Sequence, residues 1–147
     1  MAKIKHKPIK SISETIKSGK AQKLLNLHLS FSFQYLDFNH QKFDFRGRGF
    51  EYFATLLDRL KALSSLQRQD FVQTHSKAWR IHPIDWQDVT ETTFATGAAG
   101  AAIEEHDLAA WQFQLSANEH GRVHGFLIAD IFYVVWLDPN HLLYAKK

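Results

Sequence analysis

Residues 131–137, Ile-Phe-Tyr-Val-Val-Trp-Leu, are apolar on both of the faces that a β-strand presents. A strand of this kind must be central or covered on both sides, because either face left in water would expose a row of large side chains. Asp138-Pro139-Asn140 ends the run, since proline donates no backbone hydrogen bond and favours a turn. Two further segments precede it. In residues 122–128, Arg122, His124, Phe126 and Ile128 fall on one face and Val123, Gly125 and Leu127 on the other. Before that, Trp111, Phe113 and Leu115 alternate with Gln112, Gln114 and Ser116. A polar connection ending in Gly121 and a tight turn at Ala129-Asp130 separate the three, which predicts a three-stranded antiparallel meander.

Upstream, residues 27–35 place apolar side chains at every odd position and His, Ser, Ser and Gln at the even ones, the period of a half-buried strand. Residues 50–63 have a helical period, with Phe50, Phe53, Leu56, Leu57, Leu60 and Leu63 as the core-facing stripe. Ser64-Ser65 breaks it, and residues 66–76 read as a second, shorter helix with Leu66, Phe71 and Val72 inward. The expected fold is therefore α+β: an N-terminal strand, a helical hairpin, then the meander, with the helices on one sheet face. Residues 24–147 form one domain, with a flexible connection or insertion at about 90–107 that carries no chemistry.

A chain of 147 residues is long enough to bury roughly two-thirds of its unfolded surface without metals or disulfides. It has no cysteine, which excludes thiolate zinc sites and cysteine nucleophiles. No run of about 18 apolar residues occurs, and the basic N-terminus lacks the apolar core of a secretory signal. A cytoplasmic location without membrane contact is expected. Seven of the eighteen basic residues but one of the fifteen acidic ones fall in residues 1–23. That segment is net +6 and the remainder net −3, so the basicity belongs to an arm suited to a polyanion or to solubility. Lys3, Lys5, Lys7 and Lys10 of this arm are candidate nucleic-acid contacts. So are Arg46 and Arg48, which alternate with Gly47 and Gly49, because guanidinium forks match phosphate oxygens.

If the second and third strands of the meander pair across Ala129-Asp130, Arg122 and His124 lie toward the same end as residues 137–141. Arg122, His124, His141 and Tyr144 are then the candidate catalytic group for a phosphodiester. Histidine exchanges protons near neutral pH, arginine stabilises added charge on phosphorus, and tyrosine hydrogen-bonds or stacks. Each also has a plain structural role open to it: an ion pair for Arg122, a single hydrogen bond for His124, turn closure for His141, packing for Tyr144. The nine histidines are scattered. His120 and His124 are four apart but span a glycine-containing turn, so no metal and no cofactor are expected.

The order strand, helical hairpin, meander resembles the RelE/ParE-like toxin superfamily, small bacterial toxins paired with antitoxins. Gly121-Arg122-Val123-His124 resembles the arginine-bearing strand of that family's meander. Ile131-Phe132-Tyr133-Val134-Val135-Trp136, followed by His141 and Tyr144, resembles its last strand and C-terminal histidine-tyrosine region. The resemblance implies a metal-independent endoribonuclease in which Arg122 stabilises the phosphate, His124 or His141 moves protons and Tyr144 orients or stacks a base. RNA or the ribosome and a cognate antitoxin would be its partners. ParE-like members inhibit gyrase instead, which needs no catalytic group. The C-terminal run also resembles small uncharacterised prophage or mobile-element proteins. That resemblance carries no function with it; the alternative is a non-enzymatic protein-interaction or nucleic-acid-binding protein of phage or mobile-element origin.

Overall fold

The computed structural model describes residues 28–73, 79–94, 108–117 and 119–144. Lys3, Lys5, Lys7 and Lys10, the rest of the arm, and most of the 90–107 connection lie outside the described residues. The elements are β1 (Ser30–Ser32), α1 (Phe50–Leu63), α2 (Arg68–Gln73), β2 (His82–Pro83), β3 (Ala110–Gln114), β4 (Arg122–Ile128) and β5 (Ile131–Asp138).

The fold is α+β, but its sheet differs from the expected one in strand count and order. Five strands run in the order β1-β5-β4-β3-β2. β3, β4 and β5 are antiparallel neighbours, with Gln112 opposite His124 and Arg122 opposite Asp138. β1 joins the outer side of β5 in parallel, Phe31 opposite Phe132. On the far edge the two-residue β2 pairs with β3, an addition with no strand-like period to announce it. Pro83 is tolerated there because an edge strand can spare a donor. The expected nine-residue N-terminal strand shrinks to three, since the Leu36 N–H bonds Phe33 O and the Asp37 N–H bonds Val135 O. That turn lifts the chain over the sheet and leaves Phe33 exposed.

β5 is buried on both faces, and two different layers cover it. On one face Phe113, Val123, Leu127, Phe132 and Val134 pack with Tyr52, Leu56, Leu60 and Leu63 of α1 and Phe71 of α2. On the other, Ala110, Phe126, Val135 and Trp136 are covered by loop residues Phe43, Ile84, Val89, Phe94 and Leu143. Trp136 is the hub of that second layer, with the Phe43 and Phe94 ring centroids at 4.6 and 4.7 Å.

A β-bulge accounts for how Trp136 gets there. His124 pairs with Trp136 but Gly125 with Val134, so Val135 is the extra residue and turns to the same face as Trp136. Gly125 is required at this point. A Cβ on it would run into the Tyr133 carbonyl oxygen and stand 2.6 Å from the Phe132 ring.

α1 spans the expected residues, but its buried stripe is rotated from the expected one. Glu51 in the first turn and Lys61 in the last complement the helix dipole. The Ser64 and Ser65 hydroxyls donate to Lys61 O and Ala62 O at 2.7 and 2.6 Å and close its end. Tyr52 goes inward in place of Phe50, Phe53 and Leu57, which are 85%, 36% and 66% exposed.

Two substitutions test this arrangement. Trp136→Ala should lower the unfolding free energy by about 3–5 kcal/mol, read from urea denaturation. Leu57→Ala, in a side chain exposed to water, should change it by less than about 0.5 kcal/mol.

Candidate functional site

The end of the sheet where β4 begins and β5 ends opens into a cleft of about 580 Å³. Arg80, Ala117, Glu119, Gly121, Arg122, Pro139, Asn140 and His141 line it. Three chain segments meet here: the turn before β2, the β3–β4 connection, and the turn after β5.

The turn after β5 is fixed by Asp138, whose side chain is fully buried. One carboxylate oxygen accepts from the Leu142 N–H at 2.7 Å. The other accepts from the Leu143 N–H and from His124 Nε2–H, each at 3.0 Å. The Asp138 carbonyl also accepts the His141 N–H at 3.2 Å. Burial penalises the Asp138 charge, but these donors outweigh it and hold its pKa below the ordinary 3.8.

His124 lies on the opposite side of this balance. Complete burial lowers its pKa below 6.5, more than the hydrogen bond to Asp138 raises it. The ring is therefore neutral, with its proton on Nε2 and a buried, unpartnered Nδ1. Beyond it, His82 donates from Nδ1 to Pro83 O at 2.8 Å and accepts from the Gln112 amide at 2.8 Å. A row of polar groups thus crosses the loop face of the sheet, from β2 through Gln112 and His124 to Asp138.

Gly121 allows the close approach of the two turns. Its φ is +69°, and a Cβ would collide with the Asp138 carbonyl oxygen and come within 2.8 Å of Pro139. Arg80 and His141 also adopt left-handed backbone, with φ of 46° and 53°. Two of the three such non-glycine residues among the described residues thus line the cleft, where the surrounding packing must hold them against a cost of about 1–3 kcal/mol each. Arg59 of α1 helps to hold the first. Its guanidinium bonds Leu115 O at 3.2 and 3.0 Å and lies 5.6 Å over the Trp79 ring, next to Arg80.

The cleft is cationic. Arg122 is 8% exposed, and its Nε has no hydrogen-bond partner among the described residues. Burial and the neighbouring Arg80 act against its charge, and the nearby Asp138 carboxylate offsets them only in part. Among the described residues, neither arginine is ion-paired with a carboxylate. Glu119 is the one acidic residue among the described residues of the lining, and its side chain is 82% exposed. His141 is held below the ordinary 6.5, first by partial burial and then by the Arg122 charge, so it is neutral at pH 7. Arg48 stands at the rim, where its guanidinium donates to Asn140 Oδ1.

The expected group of four is divided by this geometry. Arg122 and His141 share the cleft. His124 is fully buried against Asp138 and outside the lining, so it cannot touch a ligand there and acts on the site only through Asp138. Tyr144 is half-buried outside the lining, with its ring 6.3 Å from His141 and 5.7 Å from His82. Of the two loop arginines, Arg48 reaches the cleft rim. Arg46 is held by both oxygens of Asp44 at 3.0 and 3.1 Å, far enough into partnership that the exposed Asp44 carboxyl drops to about 2. Arg80, Asn140 and the anchoring role of Asp138 were not foreseen. Among the described residues, no cluster of three His, Asp or Glu side chains is placed to hold a metal ion. Comparisons of the chain with protein-family models, curated proteins and solved structures return no match.

The buried pair has a definite effect on stability. The folded pKa of His124 lies below 6.5, so the unfolded chain takes up a proton first as pH falls. Its contribution is complete above pH 6.5 and is lost as pH falls from there toward the folded value. Asp138 contributes fully above pH 3.8 and loses that contribution as pH falls below it. Unfolding free energy measured against pH should therefore fall in two stages on acidification, and His124→Gln should reduce the first. Asp138→Ala leaves three donors unpaired, two of them buried, and should cost about 3–5 kcal/mol.

Proposed function

We propose that the cleft binds a phosphodiester of single-stranded RNA and that the protein is a metal-independent endoribonuclease of RelE-like type. The observation that carries this reading is the pairing of Arg80 and Arg122, two guanidiniums in one cleft without a carboxylate ion-pair partner among the described residues. Like charges left without a carboxylate ion pair, one of them on the buried Arg122, favour an anion, and planar forks match phosphate oxygens.

His141 supplies a base in the right protonation state. In this mechanism its neutral imidazole takes the proton of a ribose 2′-hydroxyl. The 2′-oxygen then bonds to phosphorus, the bond to the 5′-oxygen breaks, and water protonates the leaving oxygen. Arg122 and Arg80 stabilise the extra charge on the phosphoryl oxygens. His124 holds Asp138, and Asp138 holds the turn that carries His141, so both are positioning residues. Tyr144 braces His141 from the side. A cognate antitoxin would have to mask this cleft or the arm.

RNA binding without cleavage is the second reading. One observation favours it: His141 is the only imidazole in the described lining, which leaves no second side chain of that type for the leaving group.

Cleavage of a single-stranded RNA oligonucleotide in the presence of a chelator separates the two. With thermal unfolding matched to wild type, Arg122→Gln should lower cleavage by about 10²–10³-fold, and His141→Ala by about 10²–10⁴-fold. Binding without any product supports the second reading, and neither binding nor product sinks both. If His141 is the base, the rate should rise through a pKa below 6.5, and Arg80→Gln should move that limb upward, because the Arg80 charge depresses His141.

A further inference from the structure

A second cleft of about 330 Å³ adjoins the first and is lined by Arg48, Gly49, Phe50, Glu51, Tyr52 and His120. We infer that it is a subsite for an unpaired nucleobase whose attached phosphate occupies the first cleft. The inference rests on the phosphodiester reading given above and names the part of the substrate that reading leaves unplaced.

The two clefts are joined by shared groups. Arg48 lines the second and donates to Asn140, which lines the first. His120 lines the second, and its chain neighbours Glu119 and Gly121 line the first. A ligand bridging them must carry negative charge at one end, where Arg80 and Arg122 converge. The chemistry of the other end is different. Phe50 is 85% exposed, the most exposed large apolar side chain among the described residues. Rings of this kind offer a face to any nucleobase, and His120 adds a second aromatic wall. Arg48 adds a guanidinium that stacks or bonds to a base edge. Glu51 supplies an acceptor suited to the amino group of a base.

Tyr52 is also in the lining. It is almost completely buried, and its hydroxyl has no hydrogen-bond partner among the described residues. Burial raises its pKa far above the ordinary phenol value, so it keeps its proton and remains an unused donor. A flat ring carrying both acceptors and an amino group, linked to a phosphate, satisfies all of these features together. A peptide side chain offers the ring without the linked anion.

Fluorescence anisotropy of the full-length chain with two short, non-cleavable 2′-O-methyl probes tests the subsite. One probe carries bases and the other is an abasic sugar–phosphate strand. Phe50→Ala should weaken the base-bearing probe about tenfold and leave the abasic probe unchanged. Phe50→Trp should retain binding of both, and Glu51→Gln should alter the preference among probes of different base composition. Phe53→Ala and Leu57→Ala change the same exposed side of α1 outside the cleft and should have no effect. Equal binding of Phe50→Ala and wild type to both probes overturns the subsite. So does equal weakening by all three alanine variants, which would spread the nucleic-acid contact along the exposed side of the helix with no distinct base subsite. If wild type binds neither probe, or Arg122→Gln leaves binding of the abasic probe unaltered, the phosphodiester reading itself fails, which is a separate result.

Discussion

A carboxylate with no access to water is the constraint on which this fold turns. Asp138 ends β5 facing inward, and an unpaired buried charge would cost more than a domain of this size can spare. It is tolerated because His124 and the Leu142 and Leu143 N–H groups all donate to it. Those bonds dictate the path of residues 139–144. They close the chain over the loop face, seat Leu143 in the second core layer, and hold His141 in a left-handed backbone conformation at the cleft. One interaction therefore connects sheet register, the second layer and the placement of a site residue. The bulge at Val135 belongs to the same arrangement, since it sets Trp136 opposite His124 and Asp138 opposite Arg122.

The sequence made some of this legible and hid the rest for physical reasons. Strand alternation in residues 122–128 and the two-sided apolar run after it located β4 and β5, because period two survives wherever the neighbouring layers are continuous. The extent of α1 was equally readable from its period. Its inward face was not, since seven of its fourteen residues carry large apolar or aromatic side chains and only tertiary packing selects among them. Tyr52 joins the core under the helices, whereas Phe50 stays exposed. β1 was overestimated because alternation in residues 27–35 reports two successive environments, one under the helices and one over the loops. β2 was invisible: two residues, one of them proline, carry no period.

The site divides along the same line. Arg122 and His141 were found because hairpin register joins the start of one strand to the end of the next, a relation that needs no tertiary knowledge. Arg80 lies some forty residues before β4 in the chain and reaches the cleft through the pairing of Gln114 N–H with Trp79 O and the grip of Arg59 on Leu115 O. Nothing local foretells that. Lys3, Lys5, Lys7 and Lys10 drew notice as a charge run, whereas the cationic cleft is built from isolated arginines that a charge count dilutes with nearby acids.

The histidines illustrate why residue type alone could not assign roles. His82, His124 and His141 are chemically identical in the unfolded chain, and the fold gives each a different task through burial and partners. His82 is tied at both ring nitrogens to Pro83 and Gln112, so it has no lone pair or proton left for a ligand. His124 spends its one proton on Asp138 and is sealed from solvent, which makes it a structural donor. His141 keeps its ring at the cleft, and the nearby guanidinium that lowers its proton affinity is also the group that would hold an anion beside it. On the proposed phosphodiester reading, proton acceptor and anion binder would be coupled: a bound phosphate would neutralise part of the Arg122 field and so raise the basicity of His141. That coupling would follow from the placement of Arg122 and His141 in one cleft, where each lies within the field of the other.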